Sequence, residues 1–370
     1  MKEFFEKRRI TGTISLTLSN KKKWTADKAH VCQEIVSTVT RYGRQGYKLT
    51  LRQLYYQLVA SDVIPNDDVV YKKMSGILDD LRYSAKVDWD AIEDRGRVPY
   101  IPYFAEGPAD AMNDIISQYR LDRMADQDNM VEVWTEKDAI SGILKRVTSA
   151  YHVRLVVNKG YSSSSAMHSA YTRFAEYIND GKKVVLLYFG DHDPSGLDMI
   201  RDIRERLIFF LSKGDLIDWN ERPVNDWWHN KGYTGHDLID QGYLDEKVFD
   251  RLMDSGGTSD DDDSWEYARQ AMYLSENKFT VIPIGLTQDQ IDEYSPPPNP
   301  AKITDPRAKW YIEQHGPVSW EVDALRPDVM DAIVRDNILK HIDSERFEAK
   351  KEVEAGHVVK MREFAETFEN

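Results

Sequence analysis

The sequence predicts an α/β protein in two parts: a helical N-terminal segment closed by a short β element, then a larger segment built on a mainly parallel sheet. Three observations carry this reading. Apolar residues recur at helical spacing between Thr25 and Ala85, apolar strands alternate with helical stretches beyond residue 128, and no period of about 20 to 50 residues repeats, which excludes solenoids and propellers. At 370 residues the chain also exceeds the usual domain length of roughly 100–200. Hydrophobic residues at 41% leave enough apolar area for packed cores, so disorder is not the default state.

In the N-terminal part, Ala29, Cys32, Ile35, Val36 and Val39 predict a helix from Thr25 to about Tyr42, which Gly43 and Gly46 can terminate. Thr50 followed by Gln53 fits a capping box, and Leu51, Leu54, Leu58 and Val59 give the next helix its apolar stripe up to a turn at Asp62–Asn66. A third helix is expected from about Asp68 to Ala85. Aromatics, valine and prolines around Arg95, Gly96 and Arg97 then predict a short strand pair within Trp89–Phe104. Three helices and a β wing make a winged helix-turn-helix, which would offer Lys72, Lys73 and Arg82 to a DNA groove, although many such motifs bind protein instead. The expected organisation is a basic arm over 1–24, the winged helix over 25–105, a linker over 106–127 and an α/β domain over 128–370.

In the α/β domain, strands are expected at 131–134, 153–157, 184–189 and 280–285. Helices lie between the first three, running through Arg146 and over Ser164–Ile178, and a further helix spans Ser195–Leu211. The valine- and leucine-rich strands suit a sheet buried on both faces, whose ligands normally lie beyond the strands' carboxyl ends. A polar insertion over roughly 215–275 contains SGGTSDDDDS, where Asp260–Asp263 are expected in a flexible, solvated acidic loop because nothing flanking them resembles a coordinating turn. The C-terminal segment is expected to be a helical extension.

Charge permits a nucleic-acid partner without establishing one. The net charge is −14, but residues 1–52 hold 12 Lys/Arg against four Asp/Glu, leaving +8 there and −22 over the rest. Lys21, Lys22 and Lys23 could meet DNA phosphates or simply solvate a loop. The lone Cys32 excludes an intramolecular disulfide and a multi-cysteine zinc site. No apolar run approaches the ~18 residues that span a bilayer, and MKEFFEKRRI lacks the apolar core of a secretory signal, so a cytoplasmic protein with no membrane partner is expected.

Glu136 is expected to end one strand, and Asp191 and Asp193 to follow another in YFGDHDPSG. Residues two apart in an extended segment point the same way, so both aspartates could present carboxylates to one hard cation, with Glu136 joining them. Asp193 before Pro194 is equally the pattern of a helix N-cap. His192 between them is expected to be exposed. Glu321 and Asp323 also alternate, but Trp320, Val322 and Leu325 around them suggest a packed structural element.

VEVWTEKDA together with LLYFGDHDPSG resembles a Toprim domain, and TLRQLYYQL resembles the tyrosine motif of the type IIB DNA topoisomerase A subunit and the related meiotic double-strand-break transesterase. The glycine of NKGYSS, Gly160, is a weaker Toprim match. Weaker similarity also extends to IGLTQDQIDEY at 284–294. The resemblance implies that Glu136, Asp191 and Asp193 hold Mg2+, for which Mn2+ is a substitute. It also implies that Tyr56, four residues after Arg52 on one helix face, attacks double-stranded DNA to form a 5′-phosphotyrosyl bond, with Tyr55 as the fallback nucleophile. A homodimer is implied too, in which the tyrosine of one protomer approaches the metal of the other. The sequence shows no ATPase domain, so strand passage would need a separate B-type subunit. A Toprim nuclease using water and a non-catalytic DNA-binding regulator are the alternatives. The segment 296–325 suggests no role beyond packing on the α/β domain or on a dimer partner.

Overall fold

β-Branched and aromatic residues at the start of the chain form an antiparallel hairpin in the computed structural model, which describes residues 10–93, 102–213, 231–241, 259–301 and 304–368. Its strands, β1 (Thr13–Thr17) and β2 (Lys23–Asp27), pair from Thr13 opposite Asp27 to Thr17 opposite Lys23. The described part of the expected basic arm is therefore largely a hairpin, and Lys21, Lys22 and Lys23 are exposed where it turns. Such short strands carry too little alternation to stand out from a basic segment.

Asp27 ends β2 and caps α1 (Lys28–Arg44) by accepting from the Ala29 N–H. The Thr50–Gln53 capping box opens α2 (Leu51–Ala60) as its sequence predicts. Asp67 caps α3 (Asp68–Tyr83), and Ser19 of the hairpin donates to the Asp67 carboxylate from both its N–H and its hydroxyl. Val31, Ile35, Leu54, Leu58, Met74, Ile77 and Leu81 converge in one core, which Leu49 and Ile92 complete. Within the expected wing, residues 94–101 lie outside the described residues. Its described part holds a 3-10 turn over Trp89–Ala91 and a single bridge from Ile92 to Leu49, but no strand pair. The expected linker contains a helix, α4 (Pro108–Gln118).

The second part is a parallel sheet. In chain order its elements are β3 (Asn129–Thr135), α5 (Ser141–Ala150), β4 (Arg154–Val157), α6 (Ser164–Asn179), β5 (Lys183–Phe189), α7 (Pro194–Lys213), α8 (Gly235–Asp240), α9 (Ser259–Asn277) and β6 (Phe279–Gly285). Among the described residues the strand order is β4-β3-β5-β6, every pair parallel. Alternation divides the strands between two cores. Val131, Val133, Val185 and Leu187 face one, while Trp134, Val184, Leu186 and Tyr188 face the other, so both faces are buried.

Asp260–Asp263 are helical, not a loop as expected, and lie near the start of α9. Ala268, Ala271, Met272 and Leu274 supply the buried stripe that holds the helix to the sheet. Residues 255–258 lie outside the described residues.

After β6 come α10 (Gln288–Tyr294), β7 (Asn299–Pro300), α11 (Ala308–His315), β8 (Val318–Ser319), α12 (Pro327–Leu339) and α13 (Ser344–Ala365), with β7 and β8 antiparallel. Val329, Met330, Ile333 and Val334 of α12 join the core shared with Ile143, Leu144 and Val147 of α5. No helix among the described residues is long and apolar enough to cross a membrane.

Candidate active site

Parallel pairing of β3 with β5, in register through Trp134 opposite Tyr188, brings their carboxyl ends side by side. Glu136 follows one end, and Asp191 and Asp193 follow the other. Gly196 keeps the second loop tight, because a Cβ there would collide with the Asp191 carbonyl oxygen.

The three carboxylates are near one another but separately engaged. Asp193 caps α7, its Oδ1 accepting from the Gly196 N–H at 2.6 Å, which is the N-cap role its position before proline also allowed. Asp191 is buried; its Oδ1 accepts from the Val322 N–H at 2.9 Å and its Oδ2 lies 2.6 Å from Lys137 Nζ. Burial pushes the Asp191 carboxyl well above the usual carboxylate range, with Asp323 and Glu136 adding to the rise and Lys137 opposing it. Burial raises Glu136 as well, against Lys137, and Asp193 contributes to the rise. Burial alone would lower the Lys137 ammonium, but Asp191, Asp323 and Glu321 outweigh it and hold the group firmly charged.

The partner that completes this cluster comes from a distant segment with little local signal of its role. His192 and Trp320 exchange backbone hydrogen bonds of 2.9 and 3.0 Å, forming an antiparallel rung that lays residues 320–323 along the Asp-x-Asp loop. The Tyr311 hydroxyl bridges the carbonyls of His192 and Val318, each at 2.9 Å. His192, expected to be exposed, is buried because Tyr311, His315 and Trp320 surround its ring. The segment 296–325 thus packs against this loop of the α/β part.

From the other side α2 docks onto the same segment. Arg52 Nε is 2.7 Å from Asp323 Oδ2, and the Arg52 guanidinium also pairs with Glu321, whose carboxylate lies 3.3 Å from Lys137 Nζ. Val322 and Leu325 are packed as expected, but Glu321 and Asp323 carry ion pairs that, among the described residues, join the two parts of the chain. The only sequence signal for them was the Glu-Val-Asp alternation, and nothing in it named Arg52 as partner.

Comparison of the chain with protein-family models, curated proteins and solved structures returned no match.

Arg52 and Tyr56 share one face of α2, with the guanidinium 5.8 Å from the ring centroid. Tyr56 is only 4% exposed, and Asn299 Nδ2 donates to its hydroxyl at 3.3 Å. Burial raises the Tyr56 phenol well above the usual tyrosine range, Glu321 adds to the rise, and the Asn299 hydrogen bond opposes it. Tyr55 has a different task. Its hydroxyl accepts from the Asp67 N–H at 2.7 Å, tying α2 to the start of α3, and burial pushes its phenol up to about 12.

The basic candidates divide. Lys72 and Lys73 are exposed on α3, which starts beside the hairpin that carries Lys21–Lys23. Arg82 is used internally, donating to the carbonyls of Trp89 and Ile92 at 3.0 and 2.9 Å and covering the Trp89 ring.

The oxygen donors of Glu136, Asp191 and Asp193 suit a hard divalent cation, and burial raises the Glu136 and Asp191 carboxyls, an effect that added positive charge would oppose. Among the described residues, however, no three His, Cys, Asp or Glu side chains are arranged to hold a metal ion. Asp193 uses only Oδ1 for the Gly196 N–H, while both oxygens of Asp191 are engaged, by the Val322 N–H and by Lys137.

Proposed function

We propose that the chain is a DNA-cleaving transesterase of the Toprim and winged-helix type, similar to the A subunit of type IIB DNA topoisomerases, working as a homodimer on double-stranded DNA. The observation that carries this reading is the docking of the Arg52–Tyr56 face onto the loop pair that also holds Asp191 and Lys137. The docking lies within one chain, so in this reading Tyr56 would work beside the carboxylates of its own protomer, whereas the resemblance implies those of a partner protomer.

In this reading Arg52 orients the scissile phosphate and offsets the charge that develops on it. Tyr56 attacks phosphorus through its hydroxyl oxygen, the 3′-oxygen leaves, and a 5′-phosphotyrosyl bond results. The raised phenol pKa means that the attack needs an acceptor for the proton and release of the hydroxyl from Asn299. Glu136, Asp191 and Asp193 would hold Mg2+, which supplies positive charge to the phosphate and the leaving oxygen. Strand passage would call on a separate ATPase subunit.

A second reading, a metal nuclease in which water attacks, draws support from the burial of Tyr56. Incubation with plasmid DNA and Mg2+ separates the two. The transesterase leaves protein attached to 5′ ends, and Tyr56→Phe lowers cleavage by at least about 100-fold, on the scale of losing a nucleophile. Protein-free breaks that survive Tyr56→Phe but not Asp191→Ala would establish the nuclease instead.

A further inference from the structure

Lys137 and Glu321 have no part in the mechanism above, yet they meet Arg52 at its centre. Glu321 is held by both cations, with the Arg52 guanidinium on one side and Lys137 Nζ at 3.3 Å on the other. Each cation also has a carboxylate of its own. Arg52 Nε faces Asp323 at 2.7 Å, and Lys137 faces Asp191 at 2.6 Å.

We propose that Arg52 and Lys137 form a two-pronged phosphate-binding site which the Glu321 carboxylate fills as an internal stand-in, so that a DNA phosphodiester enters by displacing Glu321. The inference rests on the cleavage reading for the identity of the ligand, but the site itself can be tested without cleavage.

Three features support the exchange. The first is chemical. Guanidinium and ammonium groups that bind a carboxylate bind a phosphate by the same charge-assisted hydrogen bonds. The second is charge balance. With Asp323 and Asp191 each opposite one cation, Glu321 adds a single negative charge, and a phosphodiester also carries one, so replacing one by the other leaves the charge of the cluster unchanged. The third is access. The Asp323 and Asp191 side chains are 0% and 7% exposed, whereas those of Glu321 and Arg52 are 21% and 40% exposed. Glu321 is therefore the carboxylate of the three that can swing out. Its backbone is extended, just ahead of the 3-10 turn Val322–Ala324, and the Trp320 rung and the Val322 N–H bond hold that backbone while the side chain rotates.

An internal competitor weakens a ligand's apparent affinity by the fraction of time that the site stands open. If Glu321 fills the site about nine-tenths of the time, removing its charge tightens binding about tenfold. The test is titration of the full-length protein with a short DNA duplex, and separately with inorganic phosphate, in EDTA, so that neither a metal nor strand cleavage contributes. E321Q should bind both about tenfold more tightly than wild type. Adding Lys137→Gln should cancel the gain. E321D, which keeps the charge on a shorter stem, should fall between.

Loss of any negative charge favours DNA in general, so E352Q serves as control. Glu352 is exposed on α13, which begins beside Gln127 and Asn129 at the opposite end of β3. E321Q binding no tighter than E352Q, in a protein whose urea-unfolding midpoint matches wild type, would overturn the proposal and leave Glu321 as a structural ion pair. Should E321Q instead fail to fold, E321D carries the same comparison. A protein that never cuts DNA but shows the E321Q gain would refute the cleavage reading and keep the site. One that cuts DNA but shows no gain would do the reverse.

Discussion

Asp323 is the most confined charged side chain around the pocket. It is fully buried with Arg52 Nε 2.7 Å away, and neither of its oxygens meets a well-aligned donor. Burial pushes its carboxyl above the usual range, Lys137 and Arg52 oppose the rise, and Glu321 adds to it. Asp323→Ala should destabilise the fold by about 2–3 kcal/mol, less than the roughly 3–5 kcal/mol of a fully enclosed pair because Arg52 reaches solvent. Urea unfolding measures the change, and an unaltered midpoint would mean that this contact adds nothing to the joint between the two parts of the chain. At this scale the sequence was partly readable. Arg52 and Tyr56 share a face as their spacing required, but Tyr55 and Tyr56 could not be told apart from neighbouring positions. What separates them is distant: the Asp67 N–H for one and Asn299 for the other.

The element that ties the N-terminal side of the sheet to the C-terminal helices is the stretch after α4. Glu354 on α13 accepts from the Leu121 N–H at 2.9 Å and from Arg123 Nη2 at 2.7 Å. Burial pushes its carboxyl up, but the Arg123 and Leu121 hydrogen bonds outweigh this and leave it below the usual range. A lowered folded-state pKa places the stabilisation above the unfolded value of about 4.3, and it is lost as pH falls through the folded value. Glu354→Gln should therefore cost about 1.5–3 kcal/mol at pH 7 and progressively less below about pH 4, as read by urea unfolding at both pH values. A gap that stays constant or widens in acid would contradict the assignment. Elements with their own local signal were legible in the sequence: the Thr50–Gln53 box, the strands at 131–134 and 184–189, and the helix over Ser164–Ile178. The hairpin and α9 were not, since a short basic strand pair and an acid-rich helix start both have the composition of loops, and only tertiary packing decides them.

Across the whole molecule, charge is divided so that residues 1–52 carry +8 within a chain of −14. Lys21–Lys23 are exposed on the hairpin that Ser19 ties to Asp67 at the start of α3, Lys72 and Lys73 are exposed further along that helix, and the proposed DNA partner would meet such lysines through its phosphates. If all three lysines meet phosphates, changing them together to alanine should lower the slope of log affinity against log salt by about 2–3. Binding of a DNA duplex between low and moderate salt provides the measurement, and an unchanged slope would remove the hairpin from the interface. The same long reach explains why the pocket was only half visible in the sequence. Arg52 and Glu321 are 269 residues apart. Closing a loop of that size is entropically slow, and the contacts that reward it come only afterwards. On a ribosome the emerging chain would present residues 52–56, then 136–137, then 191–193, and the ring of charges would stay open until residue 323 had left the exit tunnel. A prematurely terminated product ending before that point lacks the assembled cluster of charges.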